Sequence, residues 1–490
     1  MSELYKLTIK EASDKLASGE ITSVELTEAI FKRISVVEPL VGAYITLCED
    51  RAMEMAKKSD ADFAVSHKRK SLVDGVPIAV KDLFLTKGVR TTAASKILED
   101  FIPVNESEVT RRLWEAGAVL VGKTNMDQFA MGSSTESSAY KTATKFDRTT
   151  TNPIDHDRVP GGSSGGSAAA VVADMCIAAI GTDTGGSIRQ PASHCGIVGL
   201  KPTYGKVSRK NVIAMASSLD QAGPMTKTVG DAKILLDIIA GKDEGDSTST
   251  ENRKQITGNG KLKIGIPKEF FGEGLDPRIN SIIQAKIEEL KNAGHEIVPV
   301  SMPMSHFALA AYYIIMPAEV SSNLARYDGI RYGHSVLKET GDRNQESGLL
   351  DVYMKSRAEG FGAEAKRRIM LGSYVLSAGY FDAYYKKALK VRTLIKREFE
   401  EIFSQVDLLL TPVTPNLAPK FGENDDDPLR MYLSDIMTIS INLAGVPAMS
   451  VPAGTVSEDG KDLPVGVQVI GPMWGEERIF ALGKEIEKRG

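Results

Sequence analysis

Two loops rich in serine and glycine carry the residues best suited to chemistry: GGSSGGSAAA at 161–170 and GTDTGGSIRQPA at 181–192. The first loop admits three readings. Its glycines could bend backbone N–H groups around a phosphate, but the loop has no lysine beside its serines. It also fits G-x-S-x-G with Ser164 central, the pattern of a nucleophile elbow. An elbow follows a buried strand, and the preceding NPIDHDRVP, with two prolines, cannot be one. The third reading is a loop that carries a serine into a site where another residue attacks; a flexible turn before a helix is the plain alternative. The second loop follows an apolar run, and Gly185 and Gly186 precede Ser187 at a turn into a helix. Backbone N–H groups of Thr184, Gly185, Gly186 and Ser187 could converge there on one point, as an oxyanion hole requires. Ser187 would then be a nucleophile beside its own oxyanion hole, against the plainer reading of a helix-capping serine.

A nucleophilic serine needs a base. Of the six histidines, His67, His156, His194, His295, His306 and His334, only His194 lies near Ser187 in sequence. Nothing places it better than a core or surface histidine, so a Ser-His-Asp triad is not indicated. The alternative is a lysine kept neutral by burial. Lys81, at the end of the apolar strand GVPIAV, fits that role, although a lysine at a strand end also commonly extends its charge to water. One further motif competes: GAVLVGKT at 117–124 matches the phosphate-loop pattern and is the sole support for a non-catalytic nucleotide-binding protein. Its four middle residues, Ala-Val-Leu-Val, favour a strand over a bent loop of N–H groups, and Lys123 then falls at a strand end.

Composition narrows the class. The 490 residues are 42% hydrophobic and 25% charged, which suits a soluble globular chain with a sizeable core. A net charge of −4 offers no broad basic field for nucleic acid, so any RNA would be held mostly by a partner. Three cysteines without a C-x-x-C pair point to a reducing compartment and away from a disulfide framework or zinc ribbon. The opening MSELYKLTIKEASDKL lacks the apolar core of a signal peptide, and no run reaches a membrane span. The expected location is the cytoplasm.

The elements that must position these residues alternate. Residues 1–65 read as a helical segment, with Thr22 and Glu25 forming a capping box ahead of VELTEAIFKRI. GVPIAVKDLF, AGAVLVGKTNM and DMCIAAIGTDT read as buried strands, separated by the amphipathic VTRRLWEA and the helix AAAVVA. The polar stretch 241–261 reads as an exposed loop. KLKIGIP restarts a strand, its following helix stops near Gly294, and 300–400 reads as a mostly helical insertion near the substrate pocket. DLLLTPVTP, GVPAMSVPAG and LPVGVQVIGP supply late strands before a final helix. The prediction is an α/β architecture with a mixed or parallel sheet, in one domain spanning 1–490.

Lys81 in GVPIAVKD, Ser163 in GGSSGGSAAA and Ser187 in GTDTGGSIRQP together resemble the amidase signature family, over essentially the whole chain. The resemblance implies the amidase-signature fold, a central mixed β-sheet covered by helices on both faces. It implies a Lys-Ser-Ser triad, with Ser163 in a cis peptide linkage relaying a proton between Ser187 and Lys81. The stretches GKTNMDQFAMGSS, SSLDQAGP, EVSSNLARYDGIRYG, AKRRIMLGSYVLSAGYFDAYYKKA and YLSDIMTISINLAG resemble the tRNA-dependent amidotransferase branch of the family. That likeness implies that Arg368 and Asp435 hold the α-carboxylate and α-amino group of glutamine while Tyr312 lines the pocket; Arg367 and Tyr313 adjoin them. It further implies a glutaminase that passes ammonia to a B subunit, where ATP and Mg²⁺ activate Glu-tRNA(Gln) or Asp-tRNA(Asn), while a small C subunit helps the assembly. The tRNA would be held mainly by the B subunit, and this chain would bind no cofactor or metal. A stand-alone amidase for another small amide shares the triad and remains the alternative.

Overall fold

The structure is a computed structural model that describes residues 3–250, 260–337, 348–423 and 428–488. Its frame is one sheet of eleven strands among the described residues. They are β1 (Tyr44–Leu47), β2 (Pro77–Lys81), β3 (Val119–Thr124), β4 (Ala178–Thr182), β5 (Val198–Lys201), β6 (Ala222–Thr226), β7 (Lys263–Pro267), β8 (Glu296–Val300), β9 (Leu408–Pro412), β10 (Ala448–Glu458) and β11 (Lys461–Ile470). Their spatial order is β1-β3-β2-β4-β6-β5-β10-β11-β9-β7-β8. β2 runs parallel to both β3 and β4, and β7 runs parallel to both β8 and β9. The other pairings are antiparallel, so the sheet is mixed.

Helices cover both faces. Along β9, Leu408 and Leu410 join one hydrophobic cluster and Leu409 the other, as side chains alternating across a strand must. The first cluster takes in residues from α1 (Ile9–Ser18), α2 (Ser23–Val41), α3 (Glu49–Ser66), α4 (Glu108–Glu115), α5 (Gly165–Val172), α6 (Arg189–Cys195), α7 (Val229–Ile239) and α8 (Pro277–Asn292). The second is supplied largely by α9 (Ala308–Leu324), which with α10 (Leu349–Gly360), α11 (Ala363–Leu376) and α12 (Lys386–Ile402) forms the expected helical insertion between β8 and β9. Two short helices, α13 (Pro428–Leu433) and α14 (Ile439–Ala444), precede β10, and α15 (Glu476–Glu487) closes the chain on the first face. Burial on both sides explains why β2, β3, β4 and β9 read as near-continuous apolar runs.

Local expectations hold where the signal is covalent or periodic. Thr22 accepts from the Glu25 N–H while the Glu25 carboxylate accepts from Thr22 N–H, the predicted capping box, and Thr8 and Glu11 form a second. Gly294, at φ 97°, follows α8 as expected. The N-terminal segment departs from an all-helical reading. YITL forms β1, an edge strand paired antiparallel to β3, because β3 offers unpaired backbone groups that no local signal reveals. β5, β6 and β8 carry no clear sequence signal either, being short and interrupted by glycine or proline. In the 241–261 stretch, Asp246 is buried and its carboxylate holds Arg209 at 2.9 Å, so this part is not simply exposed; 251–259 lie outside the described residues.

Candidate active site

Parallel pairing of β2 with β4, in the register Val80 to Ile180, brings the C-terminal ends of the two strands out side by side. Lys81 ends β2 and Thr182 ends β4. The turn into α5 carries Ser163 and Ser164 across these ends, and the Gly162–Ser163 peptide is cis. Lys81 Nζ lies 2.7 Å from Ser163 Oγ, 2.8 Å from Ser164 Oγ and 2.9 Å from Thr182 Oγ1. Ser164 Oγ donates to the Thr182 carbonyl at 3.1 Å, so it accepts from Lys81. Lys81 does not reach water. Burial lowers its pKa to about 7, against the opposing charges of Asp127, Asp183 and Asp220.

Ser187 sits in the turn ahead of α6 and is the most open of the three predicted residues, at 9% exposure against 0% for Lys81 and Ser163. Its carbonyl accepts from Ser164 N–H at 3.2 Å, which ties the two serine loops together. Among the described residues no hydrogen bond joins Ser163 Oγ directly to Ser187 Oγ.

Asp183 organises the second turn. Its carboxylate takes Arg189 Nε and Nη2 at 2.9 Å each and accepts from Gly186 N–H at 2.9 Å and Asn442 Nδ2 at 2.8 Å. Burial works to raise this carboxyl, but the Arg189 guanidinium holds it at about 2. The Gly186 amide is therefore already engaged and drops out of the expected set of oxyanion donors. Among the described residues the N–H groups of Thr184, Gly185 and Ser187 have no acceptor, and these three remain available. A Cβ at Gly185 would lie 2.7 Å from the Tyr312 hydroxyl, which places that hydroxyl directly over the turn.

Arg368, on α11, is buried; its Nε donates to Glu364 Oε1 at 2.7 Å, and its guanidinium lies 5.7 Å from the Tyr313 ring centre and 5.8 Å from that of Tyr432. Arg367 also pairs with Glu364, but its side chain is half-exposed and lines a cavity of about 270 Å³ with Asp127, Ser133 and Gln190. Asp435 accepts from Ser133 Oγ at 2.7 Å. Burial lifts its carboxyl to about 7, with the Ser133 hydroxyl and Arg368 pulling it back. Tyr312 and Tyr313 meet edge to face, and Tyr313 stacks on Tyr432 at 4.0 Å. A larger cavity of about 690 Å³ lies between residues 3–5 and α2 and is lined by none of these groups.

The amidase family pattern matches residues 25–480. This chain belongs to the amidase family. It is 54% identical to the A subunit of glutamyl-tRNA(Gln) amidotransferase from Geotalea daltonii, covering 99% of this chain and 98% of that one. The protein of the same name from Thermodesulfovibrio yellowstonii is 53% identical over 99% of this chain and 98% of its own. The crystal structure of the Thermotoga maritima glutamyl-tRNA(Gln) amidotransferase A subunit superposes with a TM-score of 0.78 at 42% identity, covering 99% of this chain and 95% of that one. A peptide amidase from Stenotrophomonas maltophilia shares the fold at 28% identity, with a TM-score of 0.77 over 98% of this chain and 96% of that one.

In this amidase the phosphate-loop match is a strand. Lys123, next to last in β3, is fully buried, with Nζ 2.6 Å from the Phe84 carbonyl and 2.8 Å from Thr91 Oγ1. His194 is buried behind the glycine turn, against Gly161, and burial lowers its pKa to about 4. Among the described residues no cluster of three or more His, Cys, Asp or Glu is arranged to hold a metal, and no helix is long and apolar enough to cross a membrane. Sequence reasoning leaves Ser164 as a mere neighbour and does not single out Thr182, Asp183, Ser133 or Glu364. For Thr182, Asp183 and Glu364 the available signal is position, within two residues of a predicted group or one helical turn from it; Ser133 lies within the stretch GKTNMDQFAMGSS, far in sequence from every predicted group.

Proposed function

We propose that this chain is the glutamine-hydrolysing subunit of a tRNA-dependent amidotransferase and acts as one amidase domain spanning 1–490. The observation that carries the reading is the 2.7 Å contact between a buried, near-neutral Lys81 and Ser163, beside Ser187, in a chain with full-length likeness to A subunits. Neutral Lys81 takes the Ser163 proton as Ser163 takes the Ser187 proton, and Ser187 Oγ attacks the side-chain carbonyl carbon of glutamine. The N–H groups of Thr184, Gly185 and Ser187 hold the oxyanion. Collapse breaks the C–N bond, and the relay returns the proton to the departing ammonia. Water then attacks the glutamyl ester through the same relay and releases glutamate.

Arg368 is assigned to the α-carboxylate of glutamine, Asp435 to its α-amino group and Tyr312 to the pocket wall. Burial of Arg368 and the half-exposure of Arg367 support Arg368 of the two. Ammonia passes to a B subunit that holds the misacylated tRNA and uses ATP and Mg²⁺, with a C subunit in the assembly; this chain needs no cofactor of its own. A cytoplasmic location suits three buried free thiols.

The test uses the chain copurified with its B and C subunits. Ser187→Ala should lose glutamine-dependent conversion of Glu-tRNA(Gln) while free ammonium still supports it. Glutamine-dependent turnover retained in that variant would remove Ser187 as nucleophile. Parallel reactions with Glu-tRNA(Gln) and Asp-tRNA(Asn) identify the acceptor.

A further inference from the structure

The turn 183–187 is anchored at more than Asp183. Thr438 Oγ1 donates to the Gly185 carbonyl at 2.5 Å, and Thr184 Oγ1 donates to Asp220 Oδ1 at 2.8 Å. Asp220 is buried in the loop between β5 and β6. Its Oδ1 also accepts from Ala216 N–H at 3.1 Å and its Oδ2 from Met215 N–H at 2.9 Å. The next residue, Gln221, accepts the Asp183 N–H on its carbonyl at 2.7 Å, so this loop touches the turn at two consecutive residues.

The same loop is gripped from the helical insertion. Glu319 and Asn323 of α9 bind Ser218 N–H at 2.8 Å and the Met215 carbonyl at 3.1 Å. Arg392 of α12 donates to the Ser218 carbonyl at 2.8 Å and to its hydroxyl at 2.7 Å. α9 also carries Tyr312, whose hydroxyl overlies Gly185.

We propose that Asp220 is a positioning residue for the hydrolytic reaction: by holding the Thr184 hydroxyl it fixes the direction of the Thr184 and Gly185 N–H groups toward the oxyanion. This deepens, and rests on, the glutaminase reading above. Oxyanion donors contribute through preorganisation, so an amide that swings away loses most of its effect although no contact to substrate has been deleted. The signature is a fall in kcat with KM little changed, because the interaction develops in the transition state.

The experiment measures ammonia release from glutamine by the assembled complex. Thr184→Val keeps the volume and removes only the hydroxyl, so it tests the link without emptying the site. It should lower kcat at least about tenfold with KM held within about twofold. Thr184→Ser, which restores the donor, should recover turnover to within about threefold of the parent. Asp220→Asn should behave like Thr184→Val, and the double variant should be no worse than the poorer single. A second readout needs no glutamine: sulfonylation of Ser187 by phenylmethanesulfonyl fluoride, followed by mass spectrometry. There Ser187 Oγ bonds to sulfur, fluoride leaves and the serine proton enters the relay; the rates should fall in the same order. Unchanged kcat and unchanged sulfonylation in Thr184→Val, a loss that Thr184→Ser does not repair, or losses that multiply in the double variant would each overturn the role of Asp220. A parent that is sulfonylated yet releases no ammonia from glutamine overturns the glutaminase reading instead, and the sulfonylation order still decides Asp220.

Discussion

Lys81 and Ser163, eighty-two residues apart in sequence, meet with Nζ 2.7 Å from Oγ in a site closed to solvent. The amine can take a proton only when neutral, and burial brings its pKa down to about 7. Glutaminase kcat/KM should therefore rise with pH through about 7 and fall away below it. Lys81→Arg, always protonated, should lose turnover at every pH, measured by ammonia release. The shift also acts on stability. Between the folded value near 7 and the unfolded 10.5, the unfolded chain holds the extra proton, so this group makes stability fall as pH drops through that window. Lys81→Met should remove that slope in urea unfolding at pH 7 and pH 10; an unchanged slope would mean that Lys81 is not near-neutral when folded.

Ser164 accepts from Lys81 and thereby favours the charged amine. Ser164→Ala should shift the acid limb of the pH profile to lower pH, because one acceptor for the ammonium is gone. Its kcat should fall only about fivefold to tenfold, the scale of one hydrogen bond. Ser163→Ala should lose roughly a hundredfold or more, as a proton-transfer partner does. Equal losses in the two variants would assign Ser164 to the relay as well.

Arg368 and Arg367 adjoin in sequence and differ in burial. Arg368→Ala should raise the glutamine KM roughly tenfold to a hundredfold, the scale of a charge-assisted contact, and affect an amide without an α-carboxylate much less. Arg367→Ala should leave KM within about threefold. The reverse pattern would transfer the carboxylate contact to Arg367.

Gly185→Ala places a methyl 2.7 Å from the Tyr312 hydroxyl, inside contact distance. Either the tyrosine or the turn must move, so kcat/KM should drop while the melting temperature changes little. Unaltered kinetics would show that Tyr312 does not hold this position in solution.

Much of this amidase is legible in the chain. The paired serine loops, the lysine after GVPIAV and the tyrosine- and arginine-rich stretch named the family and the candidate groups. The Thr22–Glu25 capping box and the long apolar strands were readable because their signals lie within a few residues of one another. β1, β5 and β8 were not, since short strands form where a neighbouring strand offers hydrogen bonds, and that neighbour is distant in sequence.

By itself the sequence determined which residue types were present and which local turns could present them. Only the tertiary structure decided what each would be. Lys81 is held close to neutral rather than reaching water because β4 and the α5 turn bury it against three hydroxyls. Gly186 turns its amide to Asp183 rather than to an oxyanion because Arg189 fixes that carboxylate in place. Burial and hydrogen-bond partners set protonation and direction, and both depend on contacts that sequence spacing does not contain.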